Sequence, residues 1–310
     1  MIKERVMNTK IEFITIVGRA NAGKSSLLNA LVGEKIAAIS SKPQTTRTRI
    51  TGIVTENEAQ YVFMDTPGVQ KAKNKLGESM NKAVKDSVTD VDLILMVADA
   101  SKSINDIDKR IINSFHKKDN VILILNKIDL LPDKEKVALK IAEFSALYDF
   151  KSVIPISVVR NDGIDIVWEE TKKYAAEGPH YFPDDSFTDQ PERVLAAEII
   201  REKILRLMHD EVPHGIAVTV EQMSERTDSS GEDILDISAV IYCERDSHKG
   251  MIIGKHGAML KKIGQYARED LEKFFEIKVN LQCWVKVKED WRNSEAMIRS
   301  FGLSNNTSDN

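Results

Sequence analysis

The segment Gly18-Arg19-Ala20-Asn21-Ala22-Gly23-Lys24-Ser25 constrains this chain more than any other. It follows a short apolar, β-rich run at 13–17 and precedes Ser26, Leu27, Leu28, Ala30 and Leu31 at helical spacing. A strand that passes through a glycine loop into a helix is the opening half of a βαβ unit, which commits the first half of the chain to a mainly parallel sheet covered by helices. Further apolar runs at 61–64, 93–98, 121–125 and 153–156, with helical stretches such as 136–147 between them, continue the alternation. In that strand–loop–helix setting the pattern is a complete phosphate loop. The glycines admit backbone N–H groups to phosphates, Lys24 would bridge the β and γ phosphates, and the Ser25 hydroxyl would ligate Mg²⁺.

The loop alone does not choose between adenine and guanine. Asn126-Lys127-Ile128-Asp129, at the end of the 121–125 strand, does. A carboxylate at Asp129 accepts both the ring N1–H and the exocyclic amine of guanine, a fork adenine cannot offer, while Asn126 ties loops together and the Lys127 stem lies on the base plane. Asp65-Thr66-Pro67-Gly68 closes another strand, placing Asp65 to hold Mg²⁺ through water and the Gly68 N–H near the γ phosphate, with Val69 following. Pro43-Gln44-Thr45-Thr46-Arg47 supplies a second switch, with Thr46 as its Mg²⁺ ligand, and Ser157 after the 153–156 strand is the fifth contact, through its backbone N–H on the guanine oxygen. Val69 stands where many GTPases carry a water-orienting glutamine, so slow intrinsic turnover is expected. Asn21 is a candidate ligand for a monovalent cation, K⁺, or else a loop-stabilising side chain.

Near Gly178 the alternation stops at a polar stretch with Pro179, Pro183 and Pro191, read as a linker over 179–191 between a nucleotide domain at 10–178 and a second domain at 192–293. There the order becomes helix, strand, strand, helix, helix, strand, with Gly254-Lys255-His256-Gly257 between the adjacent helices. That is the order of an α+β type II KH domain, which clamps a short single strand of nucleic acid on its GxxG loop. Gly254 and Gly257 would let phosphates approach, and Lys255, His256 and Lys261 would supply charge or hydrogen bonds. The net charge of −4 hides an asymmetry: 245–292 carries 11 Lys and Arg against 7 Asp and Glu, a local +4 that leaves −8 elsewhere. A protein-docking domain is the competing reading of the same region. Residues 294–310 read as a polar tail.

No apolar run approaches the roughly 20 residues of a membrane span, and residues 1–10 lack a secretory pattern. A cytoplasmic, monomeric protein is expected. Cys243 and Cys283 have no metal-ligand spacing and read as reduced core thiols.

With these stretches in order, the first half resembles the small GTPases of the translation-factor class. Over roughly 10–292 the chain resembles the Era-type ribosome-assembly GTPases, most specifically at residues 43–47, at Pro191-Glu192-Arg193, at Glu198-Ile199-Ile200-Arg201-Glu202-Lys203, at 244–247 and at 284–291. The resemblance implies GTP hydrolysis to GDP, a type II KH domain, binding to the 3′ end of 16S ribosomal RNA in assembly of the 30S subunit, and peripheral contact with the inner membrane surface. Ala20 and Ala22 stand where that family commonly has proline and valine, and Val158 where it has alanine. The competing function is a signalling GTPase whose second domain docks protein or membrane.

Overall fold

The computed structural model describes residues 9–40, 42, 45–68, 74–80, 91–115, 120–208 and 212–303. The switch residues Pro43 and Gln44, and Val69, lie outside the described residues. The chain forms two compact units, one of Met1–Ile36, Thr46–Lys71 and Met80–Asp189, the other of Ala37–Thr45, Ala72–Ser79 and Gln190–Asn310.

In the first unit the strands are β1 (Lys10–Gly18), β2 (Ile50–Glu56), β3 (Ala59–Asp65), β4 (Leu93–Asp99), β5 (Val121–Asn126), β6 (Ser152–Ile156) and β7 (Ala176–Glu177). The helices are α1 (Lys24–Val32), α2 (Asp106–Asn113), α3 (Lys134–Ser145) and α4 (Ile164–Thr171). The sheet runs β2-β3-β1-β4-β5-β6, with β7 beside the start of β1. Pairs from β3 to β6 are parallel, whereas β2 and β7 run antiparallel to their neighbours. Every residue of β4 and β5 is buried, as a strand covered on both faces requires. Register then brings the ends of the strands together: Ile16 pairs with Asp65, Gly18 with Val97, and Asp99 with Asn126. Loops leaving the carboxyl ends of parallel strands form the crevice where such sheets bind ligands.

Strand β2 is absent from the sequence reading, because Thr51, Gly52 and Thr55 interrupt its apolar run. The proposed linker is also more than a connection. Through Asp189 it belongs to the first unit, as a strap along β2 and β3. The buried Gln60 amide accepts the Tyr181 and Phe182 N–H groups at 2.9 and 3.0 Å and donates to the Phe182 carbonyl at 2.9 Å. The Ile53 N–H donates to Phe187 O, and the Thr188 hydroxyl to Thr51 O. Proline-rich composition shows only that no helix forms there; the bonds that fix the strap come from elsewhere.

The second unit contains α5 (Glu192–Leu207), β8 (Ala217–Thr227), β9 (Asp233–Cys243), α6 (Asp246–Ile253), α7 (Ala258–Phe275), β10 (Lys278–Val287) and α8 (Glu295–Ser300). The sheet order is β10-β9-β8, with β10 parallel and β8 antiparallel to β9. Ile200, Ile204, Ile237, Ile241, Ile263 and Leu271 close its core. Along α5 the apolar residues at helical spacing are Val194, Ala197, Ile200, Ile204 and Leu207, but that stripe is too narrow and Val194 is 39% exposed. Instead three consecutive charged residues, Arg201, Glu202 and Lys203, are buried, each with a partner. Arg201 donates to the Thr45 carbonyl, Glu202 accepts the Ile39 N–H at 3.0 Å, and Lys203 pairs with Asp270 of α7. Buried charge survives only with such partners.

Order also continues past Asn293, where the sequence reading places a tail. The fully buried Trp291 donates its indole N–H to Gly215 O at 2.9 Å and meets Phe301 edge-on, with centroids 5.3 Å apart. Ile298 and Leu303 are buried as well.

Candidate functional site

The phosphate loop leaves β1 at Gly18 and enters α1 at Lys24, whose buried ammonium donates to the Arg19 carbonyl at 3.1 Å. Burial pushes the Lys24 pKa down and the carboxylate of Asp65 opposes it. Three oxygens converge beside it: Ser25 Oγ donates to Asp65 Oδ2 at 2.6 Å and lies 2.7 Å from Thr46 Oγ1. Asp65 is fully buried, and its second oxygen, Oδ1, has no hydrogen-bond partner among the described residues. Burial raises its pKa from 3.8 to about 6, against the pull of Lys24, Ser25 and Thr46. Two hydroxyls and a carboxylate with an open lone pair are a hard, all-oxygen donor set, and they fit Mg²⁺. Thr66 is anchored by its hydroxyl on Ile16 O at 2.9 Å, so buried Pro67 and Gly68 follow from a fixed point.

At the next strand end, Asn126 ties three segments together. Its Nδ2 donates to Ala22 O at 2.9 Å, and its Oδ1 accepts the Lys127 and Val158 N–H groups. Lys127, in the left-handed region at φ 68°, donates to Asn21 O at 2.6 Å and pairs with Asp99 at 2.7 Å. Burial would raise Asp99, but the bonds from Lys127 and Ser101 hold it below the usual carboxylate range. Asp99 was missed by the sequence reading, although it closes β4 as Asp65 closes β3. Ile128 and Asp129 follow in a short turn, and Asp129 Oδ1 accepts the Ser157 hydroxyl at 2.6 Å. The Ser157 N–H is spent on Asp162 O at 3.0 Å. Ser157 thus reaches Asp129 through its hydroxyl, while the N–H expected to face the base is engaged by Asp162. Ser26 lies in the first turn of α1, half-buried.

The second unit carries the Gly254–Gly257 loop between α6 and α7. Gly254 has φ 71° and ψ 176°, a conformation open essentially to glycine alone, and a Cβ there would come within 2.7 Å of Met259 Cβ. His256 is left-handed at φ 50°, and Lys255, His256 and Lys261 are exposed. The loop opens onto a groove of about 450 Å³ between α7 and β10. Leu260, Lys261, Gly264 and Arg268 line one wall, and Asn280, Leu281 and Cys283 the other. Burial pushes the Cys283 thiol up to about 12, so it stays neutral. The groove residues beyond Lys261 escaped the sequence reading, because i to i+4 spacing on α7 marks a helix face without saying what lies opposite. On β10, Trp284 alternates away from Cys283 and is 47% exposed.

Phosphate loop, paired switch segments and guanine reader, on a mostly parallel sheet followed by a KH-type α+β unit, define a GTPase that carries an RNA-binding module. The family model described as a 50S ribosome-binding GTPase matches residues 13–127, and the KH domain model matches 211–292. The GTPase Era of Clostridioides difficile (strain 630) is 51% identical over 296 residues, 95% of this chain and 99% of that protein. The GTPase Era of Ruminiclostridium cellulolyticum is 48% identical over 301 residues, covering 97% and 99% of the two chains. A crystal structure of an Aquifex aeolicus Era variant bound to GDP and aluminium fluoride superposes with a TM-score of 0.90 at 38% identity, covering 96% of this chain and 100% of that one. A structure of Era in complex with MgGDPNP and nucleotides 1506–1542 of 16S ribosomal RNA has the same TM-score and identity, covering 96% and 99%. The chain belongs to the Era family of GTPases.

Proposed function

We propose that the protein is a GTP-hydrolysing switch in small-subunit ribosome assembly that binds the 3′ end of 16S ribosomal RNA through its KH domain. The observation that carries this reading is the GxxG loop opening onto a groove flanked by Lys261 and Arg268, on the same chain as a guanine-nucleotide site. Similarity over nearly the whole length to an Era structure holding both MgGDPNP and 16S nucleotides supports it.

In this reading the backbone from Gly18 to Ser25 cradles the phosphates, Lys24 and the Gly68 N–H meet the γ phosphate, and Asp129 reads guanine. Ser25, Thr46 and Asp65 hold Mg²⁺, which supplies neutralisation of charge on the β and γ oxygens. Asn21 takes K⁺, whose charge assists as an arginine finger does. The protein works in the cytoplasm with peripheral contact to the inner membrane. Turnover in KCl against NaCl at equal ionic strength tests the cation, and equal rates would remove it.

RNA filter binding tests the main reading. Lys255→Glu and Lys261→Glu should each weaken binding of a 16S 3′-end oligonucleotide by about tenfold and lower the salt slope by about 0.7 per lost phosphate contact. GTP affinity should hold. Parent-like RNA binding by both folded variants would transfer the second unit to protein docking.

A further inference from the structure

The side chain of Arg19 runs to α2. Its Nε lies 3.0 Å from Asp108 Oδ1, and its Nη1 donates to the Ser103 carbonyl at 3.4 Å. Asp108 is 1% exposed, and its other oxygen accepts the Asn105 N–H at 2.9 Å. Asn105 replies by accepting the N–H groups of Ile107 and Asp108, a reciprocal capping box. Both carboxylate oxygens are thereby fixed, and the helix end they close is fixed with them.

We propose that Asp108 is a positioning residue for GTP hydrolysis, acting through Arg19 to hold the Arg19–Asn21 arm of the phosphate loop. The described contacts along the rest of the arm all lie on its backbone, which a shift of Arg19 would carry with it. The Arg19 carbonyl accepts the Ala22 N–H at 3.3 Å and the Lys24 ammonium at 3.1 Å. Ala20 lies directly against Gly68, where a Cβ would come within 2.8 Å of Ala20 Cα and N. Asn21 sits in the left-handed region at φ 63°, with its carbonyl on Lys127. A left-handed non-glycine residue persists only where its surroundings over-determine it, and Asp108 supplies the restraint at the arm's first residue.

The arm and the segment ending at Gly68 meet on the side of the site where the γ phosphate reacts, while Gly23, Lys24 and Ser25 at the start of α1 serve nucleotide with or without it. Loosening the arm should therefore slow hydrolysis more than it weakens GDP. Misplacing transition-state donors by about 1 Å costs up to about 100-fold.

The test uses the full chain with Mg²⁺, single-turnover GTP hydrolysis and titration of a fluorescent GDP analogue. Asp108→Asn is close to isosteric, and its amide oxygen can still accept the Asn105 N–H. Its hydrolysis rate should fall about 10- to 100-fold with GDP affinity kept within about threefold. Arg19→Lys, which leaves Asp108 and the cap intact, should fall similarly, and the double variant no further than the worse single one. GDP-binding stoichiometry reports the folded fraction; if Asp108→Asn does not fold, Arg19→Lys carries the test alone. Hydrolysis within about twofold of the parent in a folded variant would overturn the proposal. So would losses that multiply in the double variant, or GDP affinity falling in step with the rate.

Discussion

Glu12 gives the sharpest energetic expectation. It lies in β1 six residues before Gly18, opposite Tyr61 in the β1–β3 register, and is fully buried. Neither carboxyl oxygen has a hydrogen-bond partner among the described residues. Burial, with Asp92 adding like charge, raises its pKa from 4.5 to about 9. The folded protein thus keeps a proton that the unfolded chain releases above pH 4.5. With one more proton bound to the native state, stability falls as pH rises, by about 1.36 kcal/mol per unit, until the pH passes the folded pKa. Stability is therefore greatest below the unfolded pKa and is lost through the window from about 4.5 to about 9.

Glu12→Gln keeps shape and neutrality but has no proton to retain. Its stability relative to the parent should grow by about 2.7 kcal/mol between pH 6 and pH 8, two units at the slope above. Near pH 5 the two should lie within about 1 kcal/mol, since each then buries one neutral polar group. Titrating groups that do not feel the Glu12 charge are common to both chains and cancel in the difference. The assay is urea unfolding at each pH, read by hydrogen exchange of β3 and β4 peptides so that it reports the first unit. Nucleotide affinity should not change, because Glu12 stands about 20 Å along the strand from the phosphate loop. Parallel stability curves for parent and variant would refute a protonated Glu12.

Asp129→Asn should weaken GTP by about 1.5–3 kcal/mol and favour xanthosine nucleotides, as competition binding would record. Ser157→Ala should move GTP affinity the same way by about 0.5–1.5 kcal/mol, since it removes one hydrogen bond to that carboxylate. Mg²⁺ affinity should fall about tenfold per pH unit below about 6, because protons compete for Asp65, and calorimetry should show proton release on binding there. Trp291→Ala should destabilise the second unit by about 3–5 kcal/mol in urea melts read by exchange of β9 peptides, through lost packing on Phe301 and the orphaned Gly215 carbonyl.

What the sequence disclosed about the site follows from how phosphate and guanine chemistry is written. Gly18 to Ser25 and Asn126 to Asp129 are contiguous because a single turn presents them to a small ligand, so residue type and spacing suffice to recognise them. The KH element order was legible because apolar periodicity records which faces are covered. Ser157 shows the limit. Its place at a strand end is visible, but whether its N–H or its hydroxyl serves the site depends on Asp162 and Asp129. Asp108 and Asp99 likewise read as ordinary helix and strand-end residues until Arg19 and Lys127 are seen to reach them.

Gln60 and Glu12 make the same point within one sheet. Each is a fully buried polar residue in a mainly apolar strand, and as letters they pose the same question. Gln60 makes three hydrogen bonds to the Tyr181–Phe182 backbone, so its burial fastens the strap that composition had labelled a linker. The Glu12 carboxyl makes none among the described residues, so its burial is met by protonation. A buried amide cannot discharge itself and must find partners, whereas a buried carboxyl can take up a proton instead. Replacing Gln60 with leucine would orphan two N–H groups and a carbonyl, while Glu12→Gln changes only the pH at which the sheet is stable. The difference between the two positions lies about 120 residues away along the chain, which is why periodicity and composition in the strands cannot express it.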